Sequence, residues 1–99
     1  MITKPFMHLV TEDGDVEIRE QDLATIDRKY LRKWGIRRRE LRRCFAEAME
    51  MMRGATQKDW AKGRPIAAQH LDGTWEVVGP VGYNQHTHAM MQEPPAGKA

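Results

Sequence analysis

Apolar and polar positions change rhythm along this chain, from short alternating runs to a helical period and back. Phe6-Met7-His8-Leu9-Val10 leads through Thr11-Glu12-Asp13-Gly14-Asp15 into Val16-Glu17-Ile18. Two short antiparallel strands, about 6–11 and 15–19, fit that run, because Asp13-Gly14 tolerates the backbone of a two-residue hairpin turn. A similar pattern returns in Ile66-Ala67-Ala68-Gln69-His70-Leu71, Asp72-Gly73 and Thr74-Trp75-Glu76-Val77-Val78. It predicts a hairpin over 66–78, ended by Gly79-Pro80 because proline does not extend a central strand.

Between the hairpins the period becomes helical. Leu23, Ile26, Tyr30 and Trp34 fall at three- and four-residue steps and predict a helix over about 22–34, capped by Asp22 and stopped by Gly35. A second helix over about 37–53 gathers Leu41, Cys44, Phe45, Ala48, Met51 and Met52 on one side, and Gly54 closes it. The expected core is Leu23, Ile26, Tyr30, Trp34, Leu41, Phe45, Ala48 and Met52. Residues 54–65 read as a loop with a short helical turn near 57–62. The resulting fold class is α+β: two central helices flanked by two short β-hairpins, in one compact domain over 1–83. Residues 84–99, rich in polar residues, Pro and Gly, predict a flexible tail.

Composition narrows the class. Ninety-nine residues with 40% apolar and 30% charged side chains suit one modest core. No apolar run approaches the roughly 18–20 residues of a membrane helix, and the first residues lack a secretory pattern. The lone cysteine, Cys44, forms no internal disulfide and is read as a small core residue. A cytoplasmic protein is expected.

Charge changes the picture most. Residues 28–43 carry nine cations against the single carboxylate Glu40, a net of +8 in a chain whose total is +2. These are Arg28, Lys29, Arg32, Lys33, Arg37, Arg38, Arg39, Arg42 and Arg43. So concentrated a positive segment usually meets a polyanion. The competing reading is internal compensation: residues 12–22 hold six carboxylates against Arg19, enough to fold back on the arginines and silence them.

The segment over about 27–46 also resembles a helix-turn-helix DNA-binding unit. Trp34, Gly35 and Ile36 take the places of the apolar helix end, the turn glycine and the apolar residue after it. Tyr30 stands one turn earlier, while Leu41 and Cys44 fit the inner face of the second helix. The resemblance implies that Arg37, Arg38 and Arg39, with Arg42 and Arg43, face a major groove, and that Lys29, Arg32 and Lys33 reach flanking phosphates. It further implies a two-fold dimer and a wing formed by the 66–78 hairpin. The pattern departs at Leu31, where the family has a very small residue, and in lacking a helix before Asp22.

No enzyme is expected. Asp59, Asp72 and Glu76 make no acid/base pair, and no glycine-rich phosphate loop is present. His86-Thr87-His88, even with His70 or His8, matches no closed zinc spacing, so neither metal nor cofactor is expected. Trp60, Trp75 and Tyr83 are read as packing residues. The functional expectation is a non-enzymatic regulatory protein bound to duplex nucleic acid through an arginine-rich helix pair. The alternative is a small inhibitor or adaptor, of the kind phages and other mobile elements encode, that uses a charged surface to block or bridge a host protein.

Overall fold

A computed structural model describes residues 4–81. The chain runs β1 (Phe6–Thr11), β2 (Gly14–Arg19), α1 (Asp22–Thr25), α2 (Arg28–Trp34), α3 (Arg38–Met51), α4 (Gln57–Lys62), β3 (Arg64–Gln69) and β4 (Trp75–Val81). The α+β class holds, but the two hairpins do not stand apart on either side of the helices. They merge into one four-stranded mixed sheet, ordered β2-β1-β3-β4, through a parallel β1–β3 pairing that matches His8 with Ile66 and Leu9 with Ala67. Main-chain groups left over on one side of each hairpin explain the merger: two apolar strands beside each other satisfy both edges.

The pleat then separates two sets of side chains. Met7, Leu9, Ile18, Ala67, Trp75 and Val77 belong to the main core, which they share with Leu31, Ile36, Leu41, Cys44, Phe45 and Ala48 from the helical side. Alternate residues Val10, Ile66 and Ala68, with Val78 against them, form a second buried cluster. The helix α3 therefore rests its apolar stripe on the sheet, leaving the opposite stripe to solvent.

Both turns are offset by one residue from their Asp-Gly pairs. Thr11 pairs with Gly14, so Glu12-Asp13 forms the first loop, and no non-glycine residue has positive φ among the described residues. The Thr11 hydroxyl stabilises that arrangement: it donates to the Gly14 carbonyl at 2.9 Å and accepts from the Asp13 amide at 3.0 Å. The glycine follows the turn with φ 104°. In the second hairpin the Gly73 amide closes on the His70 carbonyl at 2.9 Å, and Gly73 again follows the bend. Strand β4 also outruns the expected stop at Gly79-Pro80 and reaches Val81. It is an edge strand with a register shift opposite Arg64–Ile66, the setting in which a strand tolerates proline.

The expected helix over 22–34 is two helices. Ile26 is extended (ψ 130°), and Asp27 caps α2 by accepting from the Lys29 amide at 2.9 Å. Asp22 lies inside the first turn of α1 and accepts instead from the Arg19 amide at 2.8 Å, which ends β2. The break resets the helical phase. Leu31 points inward at 4% exposure, while Tyr30, expected in the core, is 43% exposed and rests on Trp34. Leu23, Ile26 and Trp34 pack at the margin of the core. In α3 the expectation holds for Leu41, Cys44, Phe45, Ala48 and Met52, but Met51 is exposed. The short helix expected near 57–62 is present as α4, capped reciprocally by Thr56 and Asp59. The amide and hydroxyl of Thr56 hold the Asp59 carboxyl below its usual range. Tyr83 and the 84–99 tail lie outside the described residues.

The corrected core makes a direct expectation for stability. Leu41→Ala should lower unfolding free energy by about 2–5 kcal/mol in urea titrations, the cost of a cavity in a fully buried site. Tyr30→Ala should cost less than about 1 kcal/mol, because its ring is already half in water. Equal losses at the two positions would contradict the phase reset at Ile26.

Candidate nucleic-acid interface

The basic segment is built around one turn. Helix α2 ends at Gly35, whose φ of 73° is the left-handed conformation that costs glycine least. Its amide returns to the Arg32 carbonyl at 3.2 Å, and the Ile36 amide to the Leu31 carbonyl at 3.1 Å, so the helix end is closed by backbone. The Gly35 carbonyl then accepts from Trp75 Nε1 at 3.2 Å and Gln69 Nε2 at 3.4 Å, both from the second hairpin. From the first hairpin, Asp13 accepts from Trp34 Nε1 at 2.8 Å and pairs with Lys33 at 2.8 Å. Thus both hairpins grip the turn between α2 and α3.

The nine cations divide according to what holds them. Lys33 is tied to Asp13; the ammonium lowers the carboxyl pKa, and the carboxylate raises that of Lys33. Arg43 bonds to Glu47 at 2.6 Å, which raises its pKa, and also reaches the Trp75 carbonyl at 3.3 Å. Arg38 is half-buried and turns inward, donating to the Leu23 carbonyl at 2.7 Å and the Ile26 carbonyl at 2.6 Å. Its guanidinium satisfies two carbonyls that the end of α1 leaves without helical partners. Those donors are spent on the chain itself.

Arg28, Arg32, Arg37, Arg39 and Arg42 are exposed, and among the described residues no ion pair engages their side chains; exposed Lys29 lies over the Tyr30 ring at 5.1 Å. The acidic 12–22 segment does not close over them. Of its carboxylates, Asp13 takes Lys33, Glu17 pairs with Arg19 at 2.5 Å, Asp15 with His8 at 3.0 Å, and Asp22 caps the end of β2. Arg28, Arg32, Arg37 and Arg38 line an open depression of about 500 Å³, with the buried Leu31 and Ile36 beneath it. Arg39 and Arg42 continue the basic surface along α3 on the side away from its buried stripe.

The other candidate chemistry separates. Asp59 caps α4, Asp72 accepts from the Thr74 hydroxyl at 2.7 Å and amide at 2.9 Å, and Glu76 bonds to His70. Among the described residues no group of three His, Cys, Asp or Glu side chains is arranged to hold a metal; His86 and His88 lie outside them. Trp75 is buried and Trp60 half-buried, the latter stacked with Arg64, whose guanidinium also covers Phe6. No helix among the described residues is long and apolar enough to cross a membrane. Comparison with protein-family models, curated proteins and solved structures finds no match to this chain.

Sequence reasoning missed the carbonyl-bound role of Arg38 and the closing of Gly35 by Trp75. The first depends on the break at Ile26-Asp27, for which the β-branched Thr25-Ile26 pair before a capping aspartate was the available signal. The second joins residues forty positions apart and leaves no local pattern.

Cys44 reports on the packing of α3 against the sheet. Burial pushes its thiol from 9.0 up to about 11. The protonated thiol should react slowly with a disulfide reagent at neutral pH in the folded chain and rapidly in urea. Because the folded value is the higher one, Cys44 should leave stability unchanged below about pH 9 and lower it as the pH rises from there through 11. Fast labelling of the folded protein at neutral pH would contradict this burial.

Proposed function

We propose that this chain is a small non-enzymatic protein that binds duplex nucleic acid, chiefly through phosphates. One observation supports the reading most: Arg28, Arg32, Arg37, Arg39 and Arg42 are exposed, and no carboxylate among the described residues pairs with them. Exposed Lys29 adds to them. Among the described residues, internal compensation within this segment reaches Lys33 and Arg43, and the field of the other side chains is what a polyanion would meet. Guanidinium groups suit that role because their planar forks clamp phosphate and also meet guanine edges.

In this proposal α2, the Gly35 turn and α3 act in the manner of a helix-turn-helix pair, with the opening of α3 at the groove. The sheet takes the supporting place that a third helix has in that family. Leu31, buried where the family has a small residue, sets its own helix crossing, and exposed Tyr30 stands where the family buries an apolar side chain. Arg42, exposed on α3, is then the contact for a base edge, since Arg38 faces inward. The uniform arginine surface favours modest sequence preference. A regulatory role, a cytoplasmic location and two-fold dimerisation on the duplex belong to the same proposal.

Fluorescence polarisation with a labelled duplex across a salt series tests it. About five phosphate contacts should give a log–log slope near −4 to −5. The double variant Arg39→Glu/Arg42→Glu should abolish binding with a thermal midpoint close to wild type, since exposed charges add little to folding. Absence of binding to DNA or RNA at low salt, beside tight capture of an acidic host protein, would instead make the chain an inhibitor or adaptor.

A further inference from the structure

We infer that the chain beyond Val81 folds back over the sheet face turned away from α3, with Met90 and Met91 seated on Val10, Ile66, Ala68 and Val78. Those four residues alternate along their strands with main-core residues and make up the second cluster. Every described member of that cluster belongs to the sheet, and no helical side chain joins it. Helix α3 rests on the opposite face, which carries Leu9, Ala67 and Val77. Yet Val10 is 3% exposed, and Ile66 and Ala68 are 0% exposed. A sheet face without a covering layer keeps its large side chains partly in water. Ala68 is small enough to be shaded by its neighbours, but the branched side chain of Ile66 is not. The burial exists within a single chain, so the cover comes from residues of this chain outside 4–81.

Reach selects which residues. The segment before Lys4 is Met1-Ile2-Thr3. At about 3.3 Å per residue it extends about 10 Å, short of the roughly 17 Å from Pro5 back to the level of Val10. Residues 82–99 have no such limit. Val81 pairs with Arg64 on the strand that carries Ile66 and Ala68, so the chain leaves the sheet beside the cluster. Adjacent strands lie about 4.8 Å apart, and ten residues past Val81 reach across all four. Ala89-Met90-Met91 falls within that distance, and the unbranched thioether of methionine fits irregular apolar surface.

Two polar atoms indicate what the cover carries. Arg64 Nε and His70 Nδ1 are buried without a hydrogen-bond partner among the described residues. The Arg64 guanidinium lies over Phe6, and His70 bonds through Nε2 to Glu76, beside Ala68 on this face. Arg64 Nε donates, whereas Nδ1 of a neutral ring accepts when Nε2 donates to a carboxylate. A carbonyl and an N–H are both wanted, and polypeptide backbone supplies the two together. A second copy of the sheet would offer side chains in place of main chain. The polar rims leave a narrow apolar strip suited to one segment, with His8 and Asp15 paired on one side and His70 and Glu76 on the other.

Methyl-labelled NMR on the full chain tests this. Nuclear Overhauser contacts should join the Met90 and Met91 methyls to those of Ile66 and Val78 within one molecule. The same contacts found only between differently labelled copies would overturn the proposal and assign the face to a second copy. Their absence, with both methionine methyls at the shifts of solvent-exposed methionine, would overturn it outright. Met90→Asp/Met91→Asp, made in the full chain, should speed amide exchange by about tenfold more at Ile66–Ala68 and Val78 than at Leu41–Ala48 of α3, because only the sheet face loses its cover. Met90→Ala/Met91→Ala takes its place if the aspartate variant melts abnormally. No difference between the two sets of amides would also overturn the proposal.

Discussion

The arrangement of this protein depends on the backbone carbonyl of Gly35. A left-handed residue at the end of α2 turns the chain sharply, and its carbonyl would face the sheet without a helical partner. The indole N–H of Trp75 and the amide of Gln69 satisfy it. The Trp75 bond is partly buried, and a hydrogen bond of that kind is worth about 0.5–1.5 kcal/mol, which is appreciable in a domain of this size. It also sets direction. With the turn held against β3 and β4, and with Trp34 bonded to Asp13, the two basic helices are fixed relative to both hairpins. The exposed arginines thereby stand on two helices of fixed orientation without themselves contributing to the core.

Electrostatics in this chain are arranged locally. The carboxylates of residues 12–22 look, as a charge count, like a counterweight to the basic segment. Their geometry shows other work: a cap at the end of β2, short-range pairs along the first hairpin, and one tether to Lys33. Exposed ion pairs of this kind are screened by solvent, so they bias local geometry more than overall stability. What persists at long range is the separation between a positive helical surface and the sheet end that anchors it. Arg38 marks the boundary between the two uses of arginine, since its charge lies in the same segment but its donors close the end of α1.

Much of this was legible in the sequence, in a way that follows from the range of the interactions. The hairpins, the end of α2 at Gly35, the apolar stripe of α3 and the turn at 57–62 are each determined within a few residues. The joining of the hairpins through β1 and β3 is not, because residues nearly sixty positions apart pair by main-chain groups that carry no side-chain signature. The stripe drawn through Leu23, Ile26, Tyr30 and Trp34 assumed an unbroken helix. One extended residue at Ile26 rotated what followed, exchanging Tyr30 for Leu31 in the core. Proline at position 80 stops a central strand, and the edge placement of β4 removes that objection. The candidate surface was visible as a charge run, but its division into tied and untied arginines required knowing which carbonyls and carboxylates lie nearby.

The basic surface is most directly tested by amide-resolved NMR during titration with a short duplex at low salt. Shift changes should concentrate at Arg28–Arg32, at Gly35–Arg39 and around Arg42, with the second sheet cluster of Val10, Ile66 and Ala68 unaffected. The changes should fade as salt is raised. Shifts centred on the sheet face, or a saturable response that salt leaves unaltered, would contradict the account.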